Sequence, residues 1–404
     1  MNKSLLLSLA AATFGACTTD TVDRRGSVVR DSAGIRIVEF RVGTPATGGT
    51  FRLAREPEIA LDAREDDAAF QFFHVVDAVR LPGGGLAVAN AGTNEVRIFD
   101  ARGGHVRTIG RRGDGPGEFR SLRWLTLRGP DSLVVGDDGL RRITIFDASG
   151  QVVRTATTIR PSTETSRTAM AAPDILGIFG DGSLLAASYD RPATVAGPIR
   201  PLWHLARYAP DATSSNPLAS WPGNEFYLVF NGPRLGVYTP PFPRKTRIVV
   251  GTNRYWIADD DRWELRSFSP NGTLRTVIRR EGGEVPVTEP LLEEVIRQRY
   301  EDAPAGPGRE QAMARQRHIS EHATAPSFND IRLGTDGRLW ASDFVLPGDS
   351  TVHWSAVDST GTLTAYAITP VDIGVLGFGP DYVIVSVKDA LERESIRLYR
   401  LVPN

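Results

Sequence analysis

The sequence contains a single cysteine, Cys17, among its 404 residues. One thiol excludes an intramolecular disulfide and a cysteine-based metal cluster. Lysine is also scarce and occurs only as Lys3, Lys245 and Lys388, so arginine supplies almost all of the positive charge. The formal net charge is -1, and no large block of like charge occurs. Because proteins that bind nucleic acids normally present a basic surface to the phosphates, we expect no nucleic-acid partner.

The apolar run near the N-terminus, residues 5–12, is too short to span a bilayer as a permanent helix. It follows a short basic start and leads into Phe14, Gly15, Ala16 and Cys17. This order resembles the lipobox of bacterial lipoprotein signal peptides, in which small residues precede a cysteine that is lipidated after cleavage, although Phe14 replaces the usual Leu. The alternative is an uncleaved or ordinary signal peptide with a fortuitous cysteine.

The lipobox resemblance implies a signal peptide at residues 1–16, lipidation at Cys17 and a polar tether at residues 17–33. Thr18 stands where an Asp would indicate retention in the inner membrane of such lipoproteins. We therefore expect a cell-envelope protein held to the outer membrane through its lipid, and facing either the periplasm or the cell surface.

Glycine and proline are abundant, with 40 and 27 residues, and apolar residues alternate with polar ones in many short runs. The stretch 79–119 shows this pattern most clearly, with successive strands separated by turns too short to join anything but antiparallel neighbours. This order is typical of one blade of a β-propeller. We therefore predict an all-β protein whose repeated units form one large domain.

The same order of signals recurs along the chain at a roughly constant spacing. Later copies begin near Leu122, Ile175, Thr246 and Phe328, and a last copy of only three strands begins near Val371. A blade normally needs four strands, and the alternating segment 34–40 has no partner of its own. Pairing this N-terminal segment with the last blade would close the ring and remove two exposed sheet edges. The prediction is a six-bladed β-propeller over residues 34–404.

One segment departs from the β pattern. Residues 288–323 are rich in helix formers, with apolar side chains at helical spacing and a break at residues 304–308. The pattern predicts a helical hairpin between the outermost strand of blade 4 and the innermost strand of blade 5. The hairpin either lies beside or over the mouth of the central channel or packs on the rim with no further role.

The connector after the first blade carries the residues Gly110, Gly113, Gly115, Pro116, Gly117 and Phe119. They resemble the inter-blade signature of NHL-type six-bladed propellers, in which a glycine-rich link ends in a Phe wedged between blades. Glycines supply the positive φ of a tight crossing, and the aromatic ring fills the space between diverging sheets. From about Gly34 onward the chain is similar to bacterial lipoproteins with NHL or TolB-like propellers. That fold hosts binding proteins and enzymes alike.

The start of each innermost strand should line the central funnel. Aligning the copies on their first turn gives one register of Val76, Arg123, Asp174, Lys245, Asn329 and Asp372, and a next register of Asp77, Trp124, Ile175, Thr246, Asp330 and Ile373. The candidate ligand-binding residues in these registers are Asp77, Arg123, Asp174, Lys245, Asn329, Asp330 and Asp372.

Propeller lactonases of the gluconolactonase and paraoxonase kind hold a divalent metal in this funnel with a Glu, Asn and Asp set. Here neither register contains Glu, and Arg123 and Lys245 place positive charge where a cation would sit. Calcium prefers several oxygen ligands and net negative charge, so no cofactor is predicted and calcium is the ion to test. The charged groups either neutralise one another around a watery pore, or Arg123 and Lys245 bind a small polar or anionic ligand that Asn329 and Asp330 orient.

His318 and His322 are four residues apart on the predicted second helix and could hold zinc with a third ligand from the funnel; a solvated helix face is the alternative. The other histidines fall at different blade positions and suggest no cluster. No G-x-S-x-G motif is present, and nothing indicates a nucleophile-based hydrolase.

The sequence therefore favours a monomeric binding or scaffolding module for a protein, a glycan or a small polar ligand, without catalytic residues. The alternative is a hydrolase or lyase in the funnel, metal-assisted or not, with Asp77, Asp174, Asn329 and Asp330 as ligand candidates.

Overall fold

The computed structural model describes residues 21–22, 26–158, 173–190, 195–232 and 234–404. The predicted signal peptide and Cys17 lie outside the described residues. Five strands and a short 3₁₀ helix (Ala68–Phe70) precede the first blade in the described part of the chain. The strands are β1 (Thr21–Val22), β2 (Val28–Ser32), β3 (Ile35–Arg41), β4 (Thr50–Leu53) and β5 (Ile59–Leu61).

Blades 1 to 3 follow in chain order, each an antiparallel sheet of four strands in the described residues. Blade 1 comprises β6 (Val75–Arg80), β7 (Leu86–Asn90), β8 (Glu95–Phe99) and β9 (His105–Ile109). Blade 2 comprises β10 (Leu122–Arg128), β11 (Ser132–Asp137), β12 (Arg142–Phe146) and β13 (Val152–Thr157). Blade 3 comprises β14 (Asp174–Ile178), β15 (Leu184–Tyr189), β17 (Leu202–Tyr208) and β18 (Ser215–Pro222), whereas β16 (Gly197–Ile199) pairs elsewhere.

A separate small sheet lies between blades 3 and 4. It is formed by β16, β19 (Phe226–Asn231) and β20 (Arg234–Tyr238). Blade 4 then comprises β21 (Thr246–Val250), β22 (Tyr255–Asp259), β23 (Glu264–Phe268) and β24 (Leu274–Glu281). Helices α1 (Glu289–Arg299) and α2 (Pro307–His318) lead to blade 5, which comprises β25 (Phe328–Leu333), β26 (Leu339–Asp343), β27 (Thr351–Val357) and β28 (Leu363–Pro370). Blade 6 contains β29 (Ile373–Phe378), β30 (Tyr382–Lys388) and β31 (Glu394–Pro403).

The six blades in the described residues form a closed ring. Blade 1 contacts blade 2 through β6 and β10, and blade 2 contacts blade 3 through β11 and β14. The innermost strands of the remaining blades then contact one another in the order β14, β21, β25 and β29, and β29 contacts β6. Strand β7 is buried at every position because neighbouring blades cover both of its faces, whereas the outermost strand β9 is mostly exposed. The chain is therefore a six-bladed β-propeller whose core lies between the blades.

The connector between blades 1 and 2 illustrates how the blades are joined. Phe119 is fully buried and packs beside Phe146, with the ring centroids 6.1 Å apart. Gly110 has φ +81°, and a Cβ atom there would lie 2.4 Å from the Phe119 ring. Glycine at this position therefore supplies both the left-handed backbone and the space that the aromatic wedge needs.

The ring closes through a different N-terminal segment from the one predicted at residues 34–40. Strand β3 pairs in parallel with β24 of blade 4, and β5 supplies the fourth strand of blade 6 by pairing antiparallel with β31. Strand β4 lies between β28 and β31 and joins the last two blades. Alternation correctly marks the predicted segment as a strand, but alternation carries no information on its partner. The partner follows from packing, since Val38 and Phe40 are buried with Trp263 against blade 4.

Strand β2 lies within the range that sequence analysis assigned to the tether, and pairs antiparallel with β3. Helix α1 begins at a Thr288 cap, whose hydroxyl accepts a hydrogen bond from the Leu291 amide at 3.4 Å. Arg299 at its end donates to the carbonyls of Thr239, Pro240 and Pro241. No helix in the described part of the chain is long and apolar enough to span a membrane.

Candidate functional site

A channel of about 1680 Å³ runs through the centre of the ring and is lined by residues of all six described blades. Among the predicted site residues, Asp77, Arg123, Asp174, Lys245 and Asp330 line this channel. Asn329 and Asp372 do not line it and are exposed. The backbone carbonyl of Asn329 accepts a hydrogen bond from the Arg247 side chain at 2.7 Å.

The alignment on turns misplaces two residues. The pairing of β25 with β26 shifts between Phe328 and Ile331, and similar shifts occur next to Asp77 in β6 and at Arg123 in β10, which do line the channel. Asp372 precedes the first residue of β29, and blade 6 lines the channel only from Leu376 onward. A constant distance from a turn therefore does not give a constant position in the channel.

Two carboxylates and one guanidinium form the first charged group in the channel. Arg332 donates from Nε to Asp330 Oδ2 at 2.7 Å. Asp77 accepts hydrogen bonds from the amides of Ala78 and Leu125, at 2.9 and 3.0 Å, and so ties the innermost strands of blades 1 and 2 together. Burial raises the pKa of Asp77 to about 6, and the charge of Arg332 opposes this shift. Sequence analysis missed Arg332, which follows Asp330 by two residues.

A second charged group lies where blades 2 and 3 meet. Arg123 Nε is 3.5 Å from Asp138 Oδ2, and Arg141 Nε is 3.3 Å from Asp174 Oδ1. Burial raises the pKa of Asp138 to about 6; Arg123 opposes the shift and the charge of Asp174 adds to it. Burial raises the pKa of Tyr189, and the negative charge of Asp174 adds to this shift. Asp138 lies in the turn between β11 and β12, so no strand pattern could indicate it.

Lys245 differs from these groups because no carboxylate pairs with its ammonium among the described residues. Its backbone amide donates to Asp260 at 3.2 Å, but Asp260 forms its ion pair with Arg247. Burial lowers the pKa of Lys245, and the positive charges of Arg247 and Arg299 add to this effect while Asp260 opposes it. The channel therefore contains a cation that its protein neighbours do not neutralise.

The mouth of the channel next to blade 3 is apolar. Its lining includes Ile199, Trp203, Phe226 and Val237. Three of these residues belong to the small sheet, and Trp203 packs edge-on against Tyr189 with the ring centroids 5.4 Å apart. The apolar side chains therefore adjoin the charged group of Asp174 and Tyr189.

Asp190, which also lines the channel, begins a line of three hydrogen-bonded side chains on blade 3. His204 Nε2 lies 2.7 Å from Asp190 Oδ1, and His204 Nδ1 lies 2.8 Å from Ser220 Oγ. Because an ionised carboxylate only accepts, the proton of a neutral His204 is on Nε2, and Nδ1 accepts the hydroxyl proton of Ser220. Sequence analysis found no histidine cluster, since cross-strand neighbours 14 and 16 residues away give no local signal.

The two histidines considered for zinc do not share a helix. Helix α2 ends at His318, and His322 lies beyond it with Nε2 2.7 Å from Glu225 Oε2. In the described part of the chain, no group of three or more His, Cys, Asp or Glu side chains is arranged to hold a metal ion. Among the channel carboxylates, Asp330 pairs with Arg332, and Asp138 lies 3.5 Å from Arg123.

Comparison with known proteins supports the fold. A family model described as a 6-bladed beta-propeller, DUF5128, matches residues 70–159, which correspond to blades 1 and 2. No curated protein matches the chain. A solved protein of Bacteroides fragilis NCTC 9343 shares 12% identity at a TM-score of 0.49, with 91% of this chain and 99% of that chain covered.

Two further solved structures have named activities. The gluconolactonase XC5397 of Xanthomonas campestris shares 13% identity at a TM-score of 0.40, with 89% and 98% covered. The calcium-binding protein regucalcin of Agrobacterium tumefaciens str. C58 shares 12% identity at a TM-score of 0.39, with 89% and 97% covered. Similarity at this level carries no argument about the ligand or the activity of this chain.

Proposed function

We propose that this propeller is a lipid-anchored envelope protein that binds a small anionic molecule, such as an organic carboxylate, in its central channel. The observation that carries the proposal is the Lys245 ammonium, which lines the channel without a carboxylate partner among the described residues. Lys245 is exposed, so an anion in the channel can reach its ammonium group. A bound carboxylate would form a charge-assisted hydrogen bond with it.

Arg123 is the second cation available to the ligand. Its side chain is 68% exposed and lies 3.5 Å from Asp138, too far for a good hydrogen bond, so it can turn toward an anion at small cost. Asp138 and Asp174 can then accept hydrogen bonds from hydroxyl groups of the same ligand. Asp330 remains with Arg332 and forms part of the channel wall, and Asn329 lies outside the lining.

The test uses the chain without its first 25 residues and a panel of acetate, succinate, gluconate and inorganic phosphate in calorimetric titrations. We expect binding of at least one carboxylate, and a loss of tenfold or more in affinity for Lys245→Met. Lys388→Met is the matched control because Lys388 is exposed on blade 6 and pairs with Glu392. Absence of binding by the wild type, or an equal effect of the two variants, would contradict the proposal.

The envelope location rests on the lipobox-like residues before Cys17. We expect metabolic labelling of the full chain with radioactive palmitate and its recovery in the outer-membrane fraction, and loss of both for Cys17→Ser. Labelling of that variant would contradict lipidation at this residue. The two faces of the disc would be available to a protein or glycan partner of the anchored protein.

A second candidate function is acyl hydrolysis, which the line of Asp190, His204 and Ser220 favours. Ser220 Oγ would attack an ester carbon while His204 Nδ1 takes its proton, and Asp190 would stabilise the imidazolium that forms. His204 would return the proton to the leaving alcohol, and water would then release the acid from the serine.

Hydrolysis of p-nitrophenyl acetate and labelling by a fluorophosphonate measure this activity. Ser220→Ala should abolish both signals. Ser149→Ala is the control, because Ser149 is exposed and bonded to Asp147 without a histidine. Equal rates for the wild type and Ser220→Ala would exclude this candidate.

A further inference from the structure

We infer that the channel ligand carries an apolar tail that lies on one face of the small sheet while its anionic group is at Lys245. This inference rests on the proposed binding of an anion in the channel, and it names the chemical class as an amphiphilic carboxylate such as a fatty or aryl-alkanoic acid.

The small sheet has one continuous apolar face. In its register Ile199 lies opposite Phe226, Val237 opposite Leu228 and Leu235 opposite Phe230. Side chains on alternate positions of a strand share a face, and directly opposite residues of paired strands do too. Ile199, Phe226, Leu228, Phe230, Leu235 and Val237 therefore form a single apolar surface.

This apolar face continues from the channel toward the hairpin tip. Ile199, Phe226 and Val237 line the channel, and Leu228 is fully buried. Phe230 and Leu235 lie further along the hairpin, and the exposed fractions of Leu235 and Val237 are 45% and 51%. Four residue steps along β19 span about 13 Å, which is long enough to accommodate an alkyl chain of medium length.

The opposite face of the small sheet is supported by the helical insertion. Tyr238 points to that face, since it is one residue away from Val237, and the Arg315 guanidinium of α2 lies 4.4 Å from its ring centroid. Arg299 of α1 fixes the chain just after β20 through three backbone carbonyls. The helices therefore contact the opposite face, whereas Phe230, Leu235 and Val237 of the apolar face are exposed.

The start of the apolar face is tied to the segment that carries Lys245. Glu225, which precedes Phe226, accepts a hydrogen bond from the Arg244 amide at 2.8 Å, and the Glu225 amide donates to the Arg244 carbonyl at 2.8 Å. Lys245 is the next residue. Lys245 and the apolar side chains at the start of this face thus line the same channel, which matches a molecule with an anionic head and an apolar tail.

Calorimetric titrations with acetate, hexanoate and decanoate test the inference. They use the chain without its first 25 residues, and each acid is kept below its micellar concentration. In the wild type, affinity should rise steeply with length, approaching fourfold for each methylene that is fully buried. The double variant Val237→Asn, Leu235→Asn should flatten this dependence and leave acetate binding unchanged. Leu391→Asn is the control, because Leu391 is 72% exposed at a turn of blade 6.

The outcomes separate the two proposals. Binding of acetate that depends on Lys245 but does not increase with chain length overturns the apolar tail and retains the anion site. Absence of binding by every acid overturns both. A length dependence that survives in the double variant places the tail elsewhere and overturns the inference. A dimer in light scattering that the double variant dissociates assigns the face to a second copy of the chain, which also overturns it.

Discussion

Arg332 donates its Nε–H to Asp330 at 2.7 Å, and its charge also acts on Asp77 of blade 1. One guanidinium therefore pairs with a carboxylate of blade 5 and acts through its charge on a carboxylate of blade 1. Burial alone would lower the pKa of Arg332, but Asp330 and Asp77 together outweigh it and raise the pKa. The ring gains an electrostatic interaction across the channel between blades 1 and 5, which blade 6 separates.

Arg332→Gln should remove this link and leave Asp77 and Asp330 as like charges. We expect the free energy of unfolding at pH 7.5 to fall by about 2 kcal/mol, since a partly buried carboxylate loses its partner. In the variant the pKa of Asp77 rises above about 6, because the Arg332 charge that lowers it is absent. Asp77 is then protonated at pH 5, so the loss of stability should be smaller at that pH. Urea unfolding at the two pH values measures both effects, and an equal loss at each would contradict the role given to Asp77.

Asp138 should make the protein less stable as pH rises. Burial raises its pKa to about 6 in the folded chain, so between pH 4 and 6 the folded state binds a proton that the unfolded state has released. Its contribution therefore favours folding at acidic pH and is lost as pH rises through about 6. Asp138→Asn should gain stability relative to the wild type at pH 7.5 and not at pH 4.

Unfolding of the Asp138→Asn variant across this range is compared with Asp131→Asn, an exposed aspartate in the turn between β10 and β11. A constant difference from the wild type between pH 4 and 7.5 would show that Asp138 does not titrate in the expected range. Because Asp138 is partly exposed, solvent screening reduces the gain to about 1 kcal/mol.

The blade pattern could be read from sequence because each blade is a local unit. Strands such as β7 and β8 are joined by short turns, so their pairing follows from alternation and turn residues alone. The partner of β3 could not be obtained this way, since Ile37 pairs with Val277 across 240 residues. Only the packing of Val38 and Phe40 against blade 4 selects that partner.

The position of a residue in the channel was only partly predictable from its distance to a turn. Asp77, Arg123 and Lys245 line the channel, and Asn329 does not. Register shifts occur in β6, β10 and β25 alike, so this distance alone does not fix the direction of a side chain. The hydrogen bonds from Asp190 through His204 to Ser220 could not be predicted, because these side chains meet across strands. The small sheet could not be predicted either, because it is an insertion with no equivalent in the other blades.

Gly110→Ala should destabilise the ring at the interface of blades 1 and 2. The added methyl group would lie 2.4 Å from the buried Phe119 ring, in a backbone with φ +81°. We expect a loss of about 3 kcal/mol from overpacking and strain together. Gly129→Ala is the matched control: its φ is +66°, but no atom lies within 4 Å of the new methyl group, so only the backbone strain of about 1 kcal/mol applies. Equal losses in urea unfolding would contradict the role of Phe119 as a wedge.

Arg299→Met should loosen the small sheet without unfolding the propeller. The guanidinium donates to the carbonyls of Thr239, Pro240 and Pro241 and to Gln316 on α2, so it joins both helices to the end of β20. Without it these carbonyls lose their donor, and β20, an edge strand of the three-stranded sheet, keeps its pairing with β19 and the contact of Tyr238 with Arg315.

Hydrogen exchange should therefore accelerate at least tenfold for amides of β19 and β20, while amides of the central strands β7 and β22 keep their protection. Arg297→Met on the same helix is the control, because Arg297 is exposed and pairs with Glu294 and Glu301. Faster exchange in both variants would attribute the effect to weakening of α1 itself. If exchange in β20 stays unchanged in Arg299→Met, the hydrogen bonds of Arg299 do not hold the apolar face in place.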